Sequence, residues 1–86
     1  MKSERKYYVY ILRCNDTTLY CGYTVNLEKR IQEHNDKKGA KYTRGRTPVK
    51  IVYYEIFDTK GDALKREAQI KKYSKKTKEL LILADK

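Results

Sequence analysis

The chain has 86 residues, so we expect one small domain with a modest hydrophobic core and no second catalytic or targeting domain. Lys and Arg total 21 against 11 Asp and Glu, and the resulting net charge of +10 predicts a polyanionic partner. Nucleic acid is favoured over a membrane surface, because interfacial helices use Trp, Phe and Leu, and this chain has no Trp and one Phe.

The first predicted element is a β-hairpin. Residues Tyr7–Arg13 are rich in aromatic and β-branched side chains, a turn-forming segment follows at positions 14–17, and a second short run covers positions 19–22. Side chains alternate across a strand, so Tyr10 and Tyr20 share a face only if the connection is odd in length or bulged. We predict that register.

A short helix is predicted next, over Leu27–Asn35. Asn26 is suited to cap it, and Ile31 and His34 share one stripe with its first residue at helical spacing. Arg30 borders this stripe. The helix is therefore expected to present His34 towards the core or a site, with Arg30 beside it.

A basic, glycine-punctuated connector follows at positions 36–47, and we expect a mobile loop. It is either a solvated segment or a surface that tracks phosphates, and these two interpretations are compatible. Tyr42, set among the charges, is a candidate to stack on an unpaired base. The cations of this connector are Lys37, Lys38, Lys41, Arg44 and Arg46.

The remaining elements are a third strand and two helices. Positions 49–57 alternate as a strand does, positions 59–62 resemble a capping box for a helix reaching about Tyr73, and Ser74 is suited to cap a last helix. We therefore predict an α/β (α+β) domain in the order β-β-α-β-α-α, with a small three-stranded antiparallel sheet flanked by helices.

A single carboxylate, Glu67, projects from the predicted apolar face of the third helix. One explanation is a half-buried ion pair with a lysine or arginine. The other is an oxygen ligand for a divalent cation, since magnesium is often held by one or two carboxylates with waters and phosphate oxygens. The apolar face is expected to contain Ala63, Leu64, Ala68 and Ile70.

Soft metal ligands are scarce in this chain. Cys14, Cys21 and His34 are its only cysteines and histidine, too few for a structural zinc site, so any metal is expected to be held by oxygen. The cysteines fit small buried hydrophobes in a reducing compartment. The apolar stretch at positions 9–12 is too short for a signal peptide or membrane span, so we expect a cytoplasmic protein.

Two tyrosine motifs, an arginine and a glutamate follow one another along the chain in a characteristic order. They are Tyr8-Val9-Tyr10, Tyr20-Cys21-Gly22, Arg30 and Glu67. This series is similar to that of GIY-YIG nuclease domains. The resemblance covers nearly the whole chain, so we expect residues 1–86 to form a single domain of this kind. Positions 39–49 resemble the stand-alone, single-domain bacterial members. Tyr8 replaces the first Gly of the motif and Cys21 replaces its Ile, but neither change removes a group that the chemistry uses.

The resemblance implies a magnesium- or manganese-dependent phosphodiesterase site. Tyr20 would orient or deprotonate water, Tyr10 would contact the phosphate or the waters of the metal, and Glu67 would bind the metal. Because a phenol has an ordinary pKa of about 10, a nearby arginine and a metal would have to lower it. Arg30 would brace the scissile phosphate. We expect Arg30 and Glu67 to converge on one face, where their charged tips and both phenolic oxygens line one exposed concave patch. His34 would relay a proton or be an ordinary packed residue.

These observations predict an endonuclease that cleaves DNA, in structured or single-stranded regions, with RNA as a possible substrate. Gly22 is either a strand end or a point where the nucleic-acid backbone approaches closely. The alternative function is a non-catalytic nucleic-acid-binding accessory protein that retains the nuclease fold. A monomer is expected, with a protein partner as one route to substrate targeting.

Overall fold

The computed structural model describes residues 5–84, which form seven helices and strands around one sheet. They are β1 Tyr7–Arg13, β2 Leu19–Thr24, α1 Leu27–Asn35, α2 Lys41–Arg44, β3 Lys50–Phe57, α3 Lys60–Lys71 and α4 Lys75–Ala84. The sheet is antiparallel with the strand order β2-β1-β3, so the predicted fold class is confirmed, with α2 as an additional short helix. Within these residues no helix is long and apolar enough to span a membrane.

The register of the hairpin brings the two motif tyrosines to one face. Tyr10 lies opposite Gly22, and Leu12 lies opposite Tyr20. Residues directly opposite one another, and residues two apart on one strand, project from the same face of a sheet. Five residues, 14–18, connect β1 and β2, so the predicted odd connection is confirmed.

Helices pack on both faces of the sheet, and each face has its own core cluster. On the face of Tyr10, α1 packs through Leu27 and Ile31 against Leu12 and Val49. On the opposite face, α3 and α4 bury Val9, Ile11, Leu19, Cys21, Tyr53, Ala63, Ile70 and Ile82. Helices α1 and α3 therefore lie in different layers, on opposite sides of the sheet.

The predicted helix caps are all formed. The side chain of Asn26 accepts a hydrogen bond from the backbone of Lys29 at 3.0 Å, and Thr59 accepts one from Asp62 at 3.2 Å. Ser74 accepts one from the backbone of the third residue of α4 at 3.1 Å. These caps satisfy amide groups that have no partner inside the helix, which explains where the three helices begin.

The buried stripe of α3 differs from the predicted one. Ala63 and Ile70 are fully buried, but Leu64 is 40% exposed and Ala68 is also exposed. The prediction that Leu64 and Ala68 belong to the apolar face is wrong, because the inward stripe runs through positions 63, 67 and 70 at helical spacing. Glu67 remains on the inward stripe, with a side chain that is 18% exposed.

The basic connector is not the open loop that the sequence suggested. It contains α2, whose Thr43 is fully buried, and the loop residue Asn15 donates its backbone N–H to the carbonyl of Arg46 at 2.8 Å. The guanidinium of Arg46 also pairs with Asp16 at 3.0 Å. The buried threonine and the contacts with the β1–β2 loop tie the segment to the domain, which corrects the expectation that it is loop throughout.

Two bidentate ion pairs join the sheet to α3 and α4. Arg13 of β1 binds both carboxylate oxygens of Glu79 at 2.7 and 2.8 Å, and Arg66 of α3 binds both oxygens of Glu55 at 2.9 Å. Hydrogen bonds from Arg13 lower the pKa of Glu79 to about 2. Ionised Glu79 therefore contributes to the attachment of α4.

Candidate active site

A buried hydrogen-bonded chain forms the centre of the candidate site. The Tyr10 hydroxyl lies 3.0 Å from Nε2 of His34, and Nδ1 of His34 lies 2.8 Å from Oγ1 of Thr43. Arg30 donates its Nε–H to the oxygen of Tyr10 at 3.3 Å. Strand β1 and helices α1 and α2 each supply residues to this series of hydrogen bonds. Because α2 lies in the connector, the hydrogen bonds form only when the connector is folded.

The direction of each hydrogen bond follows from the last acceptor in the chain. The Thr43 hydroxyl donates to the carbonyl of Ala40 at 2.9 Å, so its oxygen must accept from Nδ1–H of His34. In a neutral imidazole Nε2 then has no proton, and it accepts from the hydroxyl of Tyr10. One tautomer of neutral His34 satisfies every group.

Burial keeps this pair uncharged. Tyr10 is 1% exposed and His34 is fully buried. Burial raises the pKa of Tyr10 to about 12, although Arg30 opposes that shift, and burial together with Arg30 lowers the pKa of His34. The expectation that the Tyr10 hydroxyl lines an exposed patch is wrong, because Tyr10 is buried and its oxygen is bound to Arg30 and His34. Its contact with phosphate or with the waters of a metal stays a prediction. His34 has the environment of the packed residue that the sequence left open as an alternative.

Two glycines make room for the buried pair. A Cβ atom at Gly22 would overlap the phenol of Tyr10, and one at Gly39 would overlap the ring of His34. Tyr10 therefore covers Gly22 on the face of the candidate site, and close approach of a nucleic-acid backbone to Gly22 stays a prediction. The connector glycine Gly39 is needed for contact with His34.

More exposed side chains form an outer layer over the buried pair of Tyr10 and His34. The half-buried ring of Tyr20 contacts the ring of His34 edge to face, with centroids 5.5 Å apart. Tyr20 stacks on Tyr42 at 5.7 Å, and the guanidinium carbon of Arg46 lies 4.2 Å above the Tyr42 ring. The ring predicted to stack on a base thus already contacts Tyr20 and Arg46.

Arg30 is the cationic member of the outer layer. Its Nε–H is bound to Tyr10, and its Nη1 donates to Glu33 at 3.1 Å. Among residues 5–84, Nη2 of Arg30 has no hydrogen-bond partner, and the atom is not sealed from solvent. Arg30 and Lys29 line an open cavity of about 350 Å³ beside the start of α1.

Glu67 is not part of this hydrogen-bonded chain. It lies on α3, in the opposite layer from Arg30, and its Oε2 pairs with Nζ of Lys71 at 3.2 Å. Within residues 5–84 no hydrogen bond or ion pair joins Glu67 to Tyr10, Arg30 or His34. The prediction that Arg30 and Glu67 converge on one face of the sheet is wrong, because α1 and α3 cover different faces.

Strand β2 contacts α3 at the backbone of Glu67. The Sγ atom of Cys21 lies 4.0 Å from the carbonyl oxygen of Glu67. Cys21 follows Tyr20 on β2, which is an edge strand, and successive side chains point to opposite faces. The edge of β2 therefore has Tyr20 on one side and the helix of Glu67 on the other.

Four cations of the connector remain open to solvent. In the described part of the chain, the side chains of Lys37, Lys38, Lys41 and Arg44 are exposed and form no ion pair, whereas Arg46 is bound to Asp16. Four of the five predicted phosphate contacts are thus accessible. Arg46 has a structural partner that the sequence did not suggest.

The side chains available for a metal are few. Across residues 5–84 there is no group of three or more His, Cys, Asp or Glu side chains that could hold a metal ion. Glu67 retains one carboxylate oxygen, Oε1, without a hydrogen bond or ion pair in this range. A single hard oxygen donor fits magnesium, which keeps several waters in its coordination shell, but it does not fit zinc.

Thr43 and Gly39 are site residues that the sequence did not indicate. The available signal was their position in the connector, nine and five residues after His34 respectively, but neither residue type carries chemistry by itself. Contact between a helix and the loop that follows it depends on how the loop folds back. That folding was not visible in the hydrophobic pattern.

Comparison with known proteins identifies the fold family. The family model for the GIY-YIG catalytic domain matches residues 6–80. The UPF0213 protein of Syntrophus aciditrophicus is 62% identical over 78 residues, which cover 90% of each chain. The UPF0213 protein of Haloquadratum walsbyi is 55% identical over 75 residues, covering 87% of this chain and 84% of the relative.

Two solution NMR structures are also similar. The UPF0213 protein of Bacillus halodurans has a TM-score of 0.61 and 43% identity, over 92% of this chain and 84% of that one. A protein of E. faecalis has a TM-score of 0.64 and 41% identity, over 98% of this chain and 90% of that one. The chain belongs to the GIY-YIG family, alongside the bacterial and archaeal UPF0213 proteins, and this membership supports a nuclease-type function on nucleic acid.

Proposed function

We propose that the protein is a metal-dependent endonuclease that hydrolyses phosphodiester bonds in DNA, in structured or single-stranded regions, during repair or processing. The observation that carries the proposal is the two-layer site, in which half-buried Arg30 and Tyr20 both contact the buried pair of Tyr10 and His34. A fixed inner pair holds the outer groups in place, so they need not reorganise during the reaction.

Arg30 supplies the positive charge that in-line attack on a phosphodiester requires. Its Nε and Nη1 are held by Tyr10 and Glu33, which orients the guanidinium and leaves Nη2 for a phosphoryl oxygen. Charge-assisted hydrogen bonds of this kind strengthen as negative charge develops on the phosphoryl group. Arg30 is thus the phosphate-binding residue.

Tyr20 orients the attacking water. Its hydroxyl forms no hydrogen bond within residues 5–84, whereas the hydroxyl of Tyr10 is bound to Arg30 and His34. A neutral phenol can donate one hydrogen bond and accept others, which suits the positioning of a water molecule. Tyr10, with its pKa raised to about 12, acts as a positioning residue and does not serve as a base.

Glu67 would hold the divalent cation, magnesium or manganese, through its available carboxylate oxygen. Such a cation, when bound, neutralises the charge that develops on phosphoryl and leaving oxygens. A strand of DNA lying along the edge of β2 would meet Tyr20 from one side and Glu67 from the other. The exposed cations of the connector would bind its phosphates, with no preference for base sequence.

The two cysteines support an intracellular, reducing location for this activity. Cys14 and Cys21 are free and buried, in different core clusters. Unpaired cysteines are usual in the cytoplasm and less usual in secreted domains of this size. We therefore propose a cytoplasmic enzyme.

A cleavage panel tests the proposal. Duplex, single-stranded, flap and junction substrates, in DNA and RNA, are incubated with the full chain and magnesium or manganese, with EDTA as the control. We expect metal-dependent cleavage of at least one DNA substrate, reduced about 100-fold or more by Arg30→Ala. The matched variant Lys76→Ala, which removes an exposed cation of α4, should cleave like the parent.

The second candidate function is a nucleic-acid-binding accessory protein without cleavage activity. The observation that favours it is the ion pair of Glu67 with Lys71, because the lysine already balances the carboxylate charge and competes with a metal for it. Binding of the panel substrates without cleavage of any of them, under every metal condition, would support this function over the first.

A further inference from the structure

We propose that the exposed sheet face around Tyr8 and Tyr54 binds an unpaired nucleobase of the nucleic acid whose phosphate is held at Arg30. The inference rests on the proposed function, and it narrows the substrate to nucleic acid with at least one unpaired base beside the scissile bond. Exposed Tyr54, half-buried Tyr8 and an open cavity next to a cationic cavity carry the argument.

Helix α1 covers only part of its face of the sheet. Tyr54 lies opposite Tyr10 on β3, and Ile56 lies opposite Tyr8, so all four side chains project from the face of the candidate site. Tyr10 is covered by α1, but Tyr54 is 49% exposed and Ile56 is 54% exposed. The half of this face beyond Tyr10 is therefore apolar and open to solvent.

The open half of the face is aromatic and concave. The rings of Tyr8 and Tyr54 pack edge to face with centroids 6.3 Å apart, and both line a cavity of about 360 Å³ with Ile56. An edge-to-face pair holds each ring in a fixed orientation and leaves ring surface for a further planar group. Stacking on tyrosine is a common way for proteins to bind unpaired bases, and it tolerates any base.

The aromatic cavity adjoins the cavity of Arg30. Val25 and Asn26 line both, so one short ridge at the start of α1 separates the two. Lys29 and Arg30 provide cations on one side of this ridge, and Tyr8 and Tyr54 provide rings on the other. This pairing of charge with aromatic surface matches a nucleotide, which joins an anionic phosphate to a planar base.

One acidic residue gives the aromatic cavity a polar contact. Glu28 lines it and is exposed, in the first turn of α1. A carboxylate can accept hydrogen bonds from exocyclic amino groups of bases but repels phosphate. The cationic cavity also contains a carboxylate, that of Glu33, but Glu33 is paired with Arg30 at 3.1 Å and Lys29 adds a second cation. Base and phosphate are therefore expected in the aromatic and cationic cavities respectively, and not the reverse.

Binding measurements in EDTA test the inference without depending on cleavage. Fluorescence anisotropy is measured for the full chain with a short single-stranded DNA, with the same strand made abasic, and with its duplex. Tyr54→Ala should weaken binding of the base-bearing strand by roughly 5- to 100-fold and leave binding of the abasic strand unchanged. Tyr54→Phe, which keeps the ring, should bind like the parent, and so should Leu83→Ala, which removes an exposed side chain of α4.

Salt dependence separates stacking from charge. Tyr54→Ala should lower the affinity at every salt concentration without changing the slope of log K against log salt, whereas Lys29→Gln should reduce the slope. Equal affinity of the parent for base-bearing and abasic strands would overturn the inference, as would unchanged binding by Tyr54→Ala. A change in oligomeric state on Tyr54→Ala, measured by sedimentation, would instead identify the face as a contact between copies and also overturn it.

The cleavage panel distinguishes failure of this inference from failure of the proposed function. A parent protein that never cleaves, but loses base-dependent binding on Tyr54→Ala, retains the base site and lacks the nuclease function. A parent that cleaves single-stranded and duplex DNA equally, with Tyr54→Ala cleaving like the parent, retains the nuclease function and lacks the base site.

Discussion

His34 and Thr43 are joined by a buried hydrogen bond of 2.8 Å between Nδ1 and Oγ1. Thr43 belongs to α2 in the basic connector, and His34 belongs to α1 and lies at the centre of the candidate site. The threonine hydroxyl thus selects the imidazole tautomer whose Nε2 accepts from Tyr10. The orientation of the buried pair, Tyr10 and His34, therefore depends on a folded connector.

The first prediction concerns that threonine. Thr43→Val keeps the shape of the side chain but leaves the buried Nδ1–H of His34 without an acceptor, which should lower the free energy of unfolding by about 1–3 kcal/mol. Thr43→Ser keeps the hydroxyl, and the loss of one methyl should cost about 1 kcal/mol. Urea unfolding gives these energies, and nitrogen NMR of the imidazole reports the tautomer. An unchanged tautomer in Thr43→Val would contradict the proposed role.

The second prediction concerns the glycine beneath Tyr10. Gly22→Ala introduces a methyl into the space of a phenol that is held by Arg30 and His34, so it should destabilise the domain by about 1–3 kcal/mol. Gly61→Ala, in α3 where nothing lies within 4 Å, should be neutral or stabilising.

A double-mutant cycle with Tyr10→Phe tests the cause of the Gly22 effect. Removing the phenol oxygen relieves part of the overlap, so Gly22→Ala should cost less in the Tyr10→Phe background than in the parent. Equal costs in both backgrounds would show that the phenol of Tyr10 is not what excludes a side chain at Gly22.

The third prediction concerns stability in acid. The folded pKa of Glu79, about 2, is below its ordinary value of 4.5, so the ionised carboxylate stabilises the folded state. That contribution is complete above pH 4.5, and it is lost as the pH falls from 4.5 towards 2. Glu79→Gln should therefore reduce stability at neutral pH and flatten its decline over this range. A parallel decline in the variant and the parent would contradict the assignment to Glu79.

The fourth prediction concerns the exposed cations of the connector, Lys37, Lys38, Lys41 and Arg44. Replacing all four by Gln should weaken binding to any DNA sequence and reduce the slope of log K against log salt by roughly 0.7–0.9 for each phosphate that the variant no longer neutralises. The matched control makes the same change in net charge at four exposed lysines in or next to α3 and α4, which are Lys60, Lys65, Lys72 and Lys76. A greater weakening in the control would move the binding surface to those helices.

Local features of the fold were predictable from the sequence. The caps at Asn26, Thr59 and Ser74, the strand bounds of β1, and the shared face of Tyr10 and Tyr20 all follow from side-chain chemistry within a few residues or from the alternation of a strand. These are short-range effects, and tertiary packing did not override them.

The assembly of the site was less predictable. Helical periodicity indicates that Glu67 points inwards, but it does not say which face of the sheet α3 will cover, and α3 lies opposite α1. Burial of Tyr10 and His34 follows from the same long-range packing, which the motif spacing does not contain. The contact of Thr43 with His34 needed the fold of the connector, since a polar loop residue has no periodic pattern.

The fifth prediction addresses the metal site. Glu67→Gln removes the proposed metal ligand and its ion pair with Lys71, and Glu79→Gln removes a comparable half-buried ion pair elsewhere. With the best substrate of the cleavage panel, Glu67→Gln should lower the magnesium-dependent single-turnover rate about 100-fold or more. Glu79→Gln should cleave at nearly the parental rate, and both variants should remain folded and bind DNA.

The most direct measurement is that single-turnover cleavage rate as a function of magnesium concentration, compared between the parent and Glu67→Gln at matched folded fractions. If the metal binds at the edge of β2, the cleavage rate of the parent should rise and saturate with magnesium concentration. This dependence should disappear in Glu67→Gln. Cleavage by Glu67→Gln with the rate and magnesium dependence of the parent would contradict the account.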